Sequence, residues 1–186
     1  MRAKELNVKS SEAFNDGVAL STPGSLLKFD HVGLVVKDLA KARLNLSATL
    51  GIQEWTDEIK DPVNGVRIQF GRDPAGLNYK LLEPLDDDSP VSEALRAQRT
   101  ILNHVAYLVE DLAIEAERLL SEGCVPTSKP KGAVAFGGGL IQFFFTPQRF
   151  IIELIEAPDH RHAFTTRLTG LCGEALSPGA NKAVMP

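Results

Sequence analysis

The chain has little cysteine, no large excess of either charge and no long apolar run, and each shortage narrows its class. Cys124 and Cys172 are the two cysteines in 186 residues. They are too few for a disulfide framework and too far apart for a metal-binding pair, which favours a reducing compartment. A formal net charge of −4 and a pI near 5.6 leave no basic footprint for nucleic acid, and no basic stretch suits a membrane surface. No apolar run approaches the roughly 20 residues of a membrane-spanning helix. Residues 1–25 mix charges with small side chains where a secretory signal would carry an apolar stretch. The expectation is a soluble, cytoplasmic protein with neither nucleic acid nor membrane as partner. At 44% hydrophobic residues the chain can build one sizeable core.

What is present is a duplication. The stretch Phe29-Asp30-His31-Val32-Gly33-Leu34-Val35-Val36-Lys37-Asp38-Leu39-Ala40 returns 73 residues later as Leu102-Asn103-His104-Val105-Ala106-Tyr107-Leu108-Val109-Glu110-Asp111-Leu112-Ala113. In each copy a histidine enters a β-branched apolar run, and an aspartate suited to cap a helix follows seven residues after it. Period-2 alternation puts His31, Gly33 and Val35 on one face of the first strand. Leu39, Ala42, Leu46 and Leu50 then predict a helix ending at Gly51, and Leu112, Ala116, Leu119 and Leu120 one ending at Gly123. Strands are predicted near 52–56, 66–70 and 77–83, and again near 139–145 and 150–155, with Gly137-Gly138-Gly139 as a tight turn. Between the copies, Ser89 as cap and Pro90 at the first helical position predict a short helix.

The organisation follows. Residues 1–27 form an N-terminal extension and residues 28–157 one domain of two modules, 28–85 and 101–157. Residues 158–186 form a C-terminal tail, where His160 and His162 make a His-X-His pair of a kind that can bind metal.

A second regularity lies inside the modules. Glu153 stands 49 residues after His104, in Ile151-Ile152-Glu153-Leu154-Ile155-Glu156, and Lys80 stands 49 residues after His31, in Tyr79-Lys80-Leu81-Leu82-Glu83. Each module thus sets one polar residue in its first strand and one in its last, amid apolar neighbours. Polar groups facing a core are costly unless something satisfies them, so the four need a shared reason. If the modules pack symmetrically they converge, and two imidazoles with one carboxylate make a set that binds Fe, Mn, Zn, Co or Ni and leaves positions open. Glu83 and Glu156 lie at the opposite strand parity and are expected on the outer face or at strand ends, with Tyr79 and Tyr107.

Paired modules with His-Val-Gly and His-Val-Ala in their first strands and Ile-Glu-Leu in the last resemble the vicinal oxygen chelate superfamily. This group includes glyoxalase I, methylmalonyl-CoA epimerase, fosfomycin-resistance enzymes and extradiol dioxygenases. Leu81-Leu82-Glu83-Pro84-Leu85 followed by Asn103-His104-Val105-Ala106 is most similar to methylmalonyl-CoA epimerase. The resemblance, over residues 28–157, implies an α+β fold in which two βαβββ modules form a cupped eight-stranded mixed sheet. It also implies a divalent metal on His31, His104 and Glu153, a small-molecule substrate chelated through adjacent oxygens, and a homodimer. Two positions depart from the pattern. Lys80 stands where four-ligand members carry Glu or Gln, and Val63 where the epimerase has an acidic base.

A protonated lysine about 5 Å from a divalent ion would be repelled by roughly 7 kcal/mol at an effective dielectric of about 20. Lys80 therefore swings away, gives up its proton, or replaces the metal by pairing with Glu153. Three functions follow. One is a metal-dependent isomerase or lyase stabilising an enolate of a carbonyl or acyl-thioester substrate, with Lys80 or Glu153 as the catalytic group. Another is an Fe(II) oxygenase, whose extradiol form lacks a further histidine between residues 32 and 157 as acid–base partner. The third is a metal-free ligand-binding protein built on a buried Lys80–Glu153 pair.

Overall fold

The computed structural model describes residues 27–96 and 102–167. Strand β1 (Lys28–Val35) leads into helix α1 (Leu39–Leu50), then β2 (Glu54–Thr56), β3 (Ile59–Asp61), β4 (Val66–Arg72) and β5 (Asn78–Pro84). After the short helix α2 (Ser92–Arg96) the order repeats: β6 (Leu102–Val109), α3 (Leu112–Ser121), β7 (Val125–Pro126), β8 (Lys131–Gly132), β9 (Leu140–Phe145) and β10 (Ile151–Glu156). A strand β11 (Phe164–Arg167) closes the described chain. Because β2 and β3 both pair with β4, and β7 and β8 both with β9, each couple is one strand position interrupted midway. Counted so, the two βαβββ modules give the eight-stranded mixed sheet that the resemblance implies.

The modules meet through β1 and β6, which run antiparallel at the middle of the order β11-β2-β4-β5-β1-β6-β10-β9-β7. Within each module the first strand pairs in parallel with the last, β1 with β5 and β6 with β10. Helices cover one face. Leu39, Ile52, Trp55 and Leu81 pack under α1, and Val109, Leu112, Leu119, Phe144 and Leu154 under α3. The opposite face is concave and holds its own apolar cluster, with Val35, Ile68, Phe70, Leu82, Leu108, Phe136 and Ile155.

The duplicated aspartates act as the pattern predicts. Asp38 accepts from the Lys41 amide and Asp111 from the Ile114 amide, each at 2.9 Å, and Gly51 ends α1 in the left-handed conformation at φ 69°. Glu83 and Glu156 complete the caps. Their Oε2 atoms accept from Leu39 N and Leu112 N at 2.9 Å, the first amide of each helix, so neither points into the concave face.

Three local expectations are corrected. Leu50 and Leu120 are half exposed: Leu50 lies in the last turn of α1, and Leu120 is rotated about 100° from the buried Leu119. Helix α2 starts at Ser92, not after Ser89, because the Ser92 hydroxyl donates to the Asp86 carbonyl at 2.7 Å and residues 86–91 form turns.

The chain beyond residue 157 enters the fold. It crosses from β10 to the far edge of the other module, where β11 pairs antiparallel with β2. On the way His160 and His162 lie over the concave face, against Phe136 and Phe70. Cys124 is buried; residues 1–26, Cys172 and the rest of the tail lie outside the described residues. No helix among the described residues is long and apolar enough to cross a membrane.

Candidate metal centre

The sheet register brings the four polar strand residues together. Gly33 lies beside Lys80 on one side and His104 on the other, and Ala106 beside Glu153 and His31. Small residues at 33 and 106 leave room for the large ones. A Cβ on Gly33 would sit 2.2 Å from the His104 ring. His31, Lys80, His104 and Glu153 are all buried on the concave side.

Their donor atoms form a tight triangle. The Nε2 atoms of His31 and His104 are 3.1 Å apart, and Oε2 of Glu153 lies 3.2 Å from the first and 2.9 Å from the second. Metal–ligand bonds of about 2.1 Å at right angles separate neighbouring ligand atoms by about 3.0 Å. The triangle therefore has the dimensions of one face of an octahedral ion.

The next layer fixes what those nitrogens present. Asp30 Oδ2 lies 2.6 Å from His31 Nδ1, and Asn103 Oδ1 lies 2.8 Å from His104 Nδ1. Both oxygens are acceptors, so each ring donates from Nδ1 and turns the lone pair of Nε2 inward. Two lone pairs and a carboxylate then face one another at about 3 Å. Such a set of acceptors calls for a cation, and the residues fit a divalent ion on His31, His104 and Glu153. Among the described residues this is the cluster whose ligand atoms converge closely enough to hold one.

Asp30 and Asn103 went unmarked in the sequence reading. Simple alternation sends the residue before each inward histidine to the opposite face. The structure breaks the alternation at both places: the β1–β6 register steps past Asp30 and, symmetrically, past Asn103. Each step is a β-bulge, a device that re-aims a side chain. The usable signal was the polar residue preceding the histidine in both copies.

Of the three options for Lys80, the structure shows the pairing with Glu153. Its Nζ lies 3.3 Å from each carboxylate oxygen of Glu153 and 5.6 Å from the centre of the Phe136 ring. Burial alone would raise the Glu153 carboxyl, but the charge of Lys80 beside it holds it well below the usual range. Burial lowers His104 to about 4, overriding the pull of Glu153, so the imidazole stays neutral and its lone pair free. Asp30 is likewise held low, because hydrogen bonds from His162 and His31 outweigh the cost of its burial.

Beside the triad lies a cavity of about 110 Å³. Val66, Ile68, Leu82, Ile141 and Phe143 make its apolar wall, Lys80 and Asn103 join it to the centre, and the exposed Lys129 and Lys131 contribute to its lining. Val63, in the turn before β4, is 57% exposed. The neighbouring Asp61 is buried, and its carboxylate is committed to the Asn64 and Val134 amides and the Asn64 side chain. His160 and His162 do not converge as a metal pair. Nε2 of the first lies 3.2 Å from Nδ1 of the second, and His162 directs its own Nε2 to Asp30.

Comparison with known proteins agrees with this architecture. A hypothetical protein from Bacillus halodurans C-125 superposes with a TM-score of 0.63 at 20% identity, over 74% of this chain and 99% of that one. Methylmalonyl-CoA epimerase from Mycobacterium tuberculosis gives 0.60 at 27% identity, over 70% and 89%. A Streptomyces coelicolor methylmalonyl-CoA epimerase in complex with 2-nitronate-propionyl-CoA gives 0.58 at 24%, over 70% and 94%. In sequence, the uncharacterized protein YqjC of Bacillus subtilis (strain 168) is 32% identical over 96 residues, half of this chain, and the match spans 64% of YqjC. The family model described as Glyoxalase/Bleomycin resistance protein/Dioxygenase superfamily matches residues 30–145. That match covers well over half of the sequence and runs through both modules, so the chain belongs to the glyoxalase/bleomycin resistance protein/dioxygenase superfamily.

Proposed function

We propose that this protein is a metal-dependent isomerase or lyase acting on a small carbonyl or acyl-thioester substrate whose adjacent oxygens can chelate an ion. The observation that carries the reading is the inward-facing triangle of His31, His104 and Glu153, set at the edge of an apolar cavity with Lys80 in its wall. A divalent ion held there supplies Lewis-acid polarisation of a substrate oxygen. The protein's own groups do the rest. Asp30 and Asn103 keep both imidazoles in the ligating tautomer. The apolar wall excludes water and strengthens every charge interaction within it. Lys80 donates through Nζ to both oxygens of Glu153, which favours a donor role over that of a base: it can also donate to a substrate oxygen that gains negative charge as an enolate forms, the α-proton passing to Oε1 of Glu153. The likeness to methylmalonyl-CoA epimerase from Mycobacterium tuberculosis, at 27% identity, supports the substrate class.

The test is α-proton exchange in D2O, followed by NMR over a panel of acidic carbonyl compounds and acyl-thioesters, with protein loaded with Co(II), Mn(II), Zn(II), Ni(II) or Fe(II). Exchange that needs metal and disappears in Lys80→Met is expected. No exchange with any metal would overturn the reading.

The Lys80–Glu153 pair favours a second reading, a metal-free binding protein, because it supplies a cation to the carboxylate without an ion. Tight binding of an apolar anion by metal-stripped protein, with no turnover under any loading, would select it.

A further inference from the structure

The segment between β10 and β11 is the one part of the described chain that reaches the centre without belonging to either module. We propose that His162 is a positioning residue for the metal centre: it holds the Asp30 carboxylate, which in turn holds the His31 ring. Its Nε2 lies 3.1 and 3.0 Å from the two oxygens of Asp30, and Oδ2 of Asp30 lies 2.6 Å from His31 Nδ1. The side chain of His162 is 4% exposed, and its ring lies against Phe70, with centroids 4.0 Å apart.

The hydrogen-bond directions form one consistent set. Asp30 accepts from both histidines, so His162 donates from Nε2 and its Nδ1 is left to accept from His160, 3.2 Å away. Pairing of β11 with β2 anchors the segment beyond His162, and contact of His160 with Phe136 anchors it before. A bulge has turned Asp30 out of the regular strand pattern, and its own backbone carbonyl is held by Asn78 Nδ2 at 2.9 Å. Without His162 the buried carboxylate would keep one side-chain donor in place of two. The ligating geometry of His31 would then be set by the flexible pair alone. In the second module the corresponding orienter, Asn103, is neutral and has no histidine behind it among the described residues. The crossing segment therefore makes the two halves of the centre unequal.

This inference rests on the metal reading, and the experiment separates the two. Co(II) affinity and the visible absorption of the Co(II) protein are measured for the full chain and for His162→Phe, which keeps a ring against Phe70 but cannot donate. An affinity loss of about 10- to 100-fold with an altered Co(II) spectrum is expected. His162→Gln, whose amide can still donate to Asp30, should recover most of the loss, and the shorter His162→Asn should not. The double variant His162→Phe with Asp30→Asn should bind Co(II) no more weakly than Asp30→Asn alone, because both changes act through one path. Unchanged affinity in His162→Phe would overturn the inference and leave the metal reading intact. Should His162→Phe not fold, equal affinities in the Gln and Asn variants would overturn it. Failure of the unaltered protein to take up Co(II) overturns both.

Discussion

Lys80 and Glu153 occupy the same position in the last strands of the two modules, and their side chains meet, with Nζ 3.3 Å from both carboxylate oxygens. The duplication sets these positions facing each other across the β1–β6 seam, and the two copies carry opposite charges there. The pairing does not pull Glu153 away from the histidines, because Oε2 remains within 3.2 Å of both. The carboxylate is thus shared between a lysine and a ligand set.

That sharing predicts a stability that depends on metal. In metal-free protein, Lys80→Met leaves a buried carboxylate without its cation and should cost on the order of 3–5 kcal/mol. With a divalent ion supplied, the ion takes over the neutralisation. Stability should return close to that of the unaltered protein, and metal should bind at least as tightly. Urea denaturation with and without Zn(II) measures both. Equal stability of the two proteins without metal would mean that the histidines balance Glu153 unaided.

Gly33 is required by its neighbour across the seam. A methyl group there would overlap the His104 ring at 2.2 Å, and that ring is buried, with Phe143 at its edge. Gly33→Ala should cost about 1–3 kcal/mol through overpacking and displace His104 from the triangle, reducing Co(II) uptake. The reciprocal change at the equivalent position, Ala106→Gly, removes bulk beside His31. It should cost only about 0.5–1 kcal/mol, the backbone-entropy penalty of glycine, with metal uptake retained. Similar uptake in both variants would show that the ring can relax.

The residues that were legible before the structure are those reporting on period and repetition. His31, His104, Lys80 and Glu153 share spacing and parity between copies, and regular strands bring such positions to one face. The capping aspartates were legible because their chemistry is local. Asp30 and Asn103 were not, since a bulge breaks the alternation by which a sequence is read. The link from His162 to Asp30 was hidden for another reason: the two lie 132 residues apart, and the segment that carries His162 has no periodic pattern of its own. Glu83 and Glu156 were placed on the correct side by parity, but their bonds to helix amides 44 residues away depend on how the helices pack on the sheet.

Those two glutamates supply a control. Each accepts from the first amide of a helix and faces away from the concave side. Glu83→Ala and Glu156→Ala should each lose about 1 kcal/mol, the usual cost of an absent cap, with metal content unchanged by elemental analysis. Loss of metal in either would place the ligands in a different register.

The last prediction turns on removing the ion and its ligands. At an ion concentration a hundred times its Kd, a divalent metal should stabilise the unaltered protein by about 2.7 kcal/mol, the value mass action requires of any ligand that binds only the folded state. His31→Ala and His104→Ala should abolish that increment. Glu153→Gln should abolish it too, but with a further penalty in metal-free protein, because Lys80 is 4% exposed and would be left buried without its counter-charge. Adding Lys80→Met to Glu153→Gln removes the stranded ammonium and should recover much of the metal-free stability while restoring no metal response. Recovery of a metal increment in that double variant would mean that the ion sits on residues other than Glu153. No recovery of stability would mean that Lys80 is not neutralised by Glu153, and the charge relationship inferred between them would not hold.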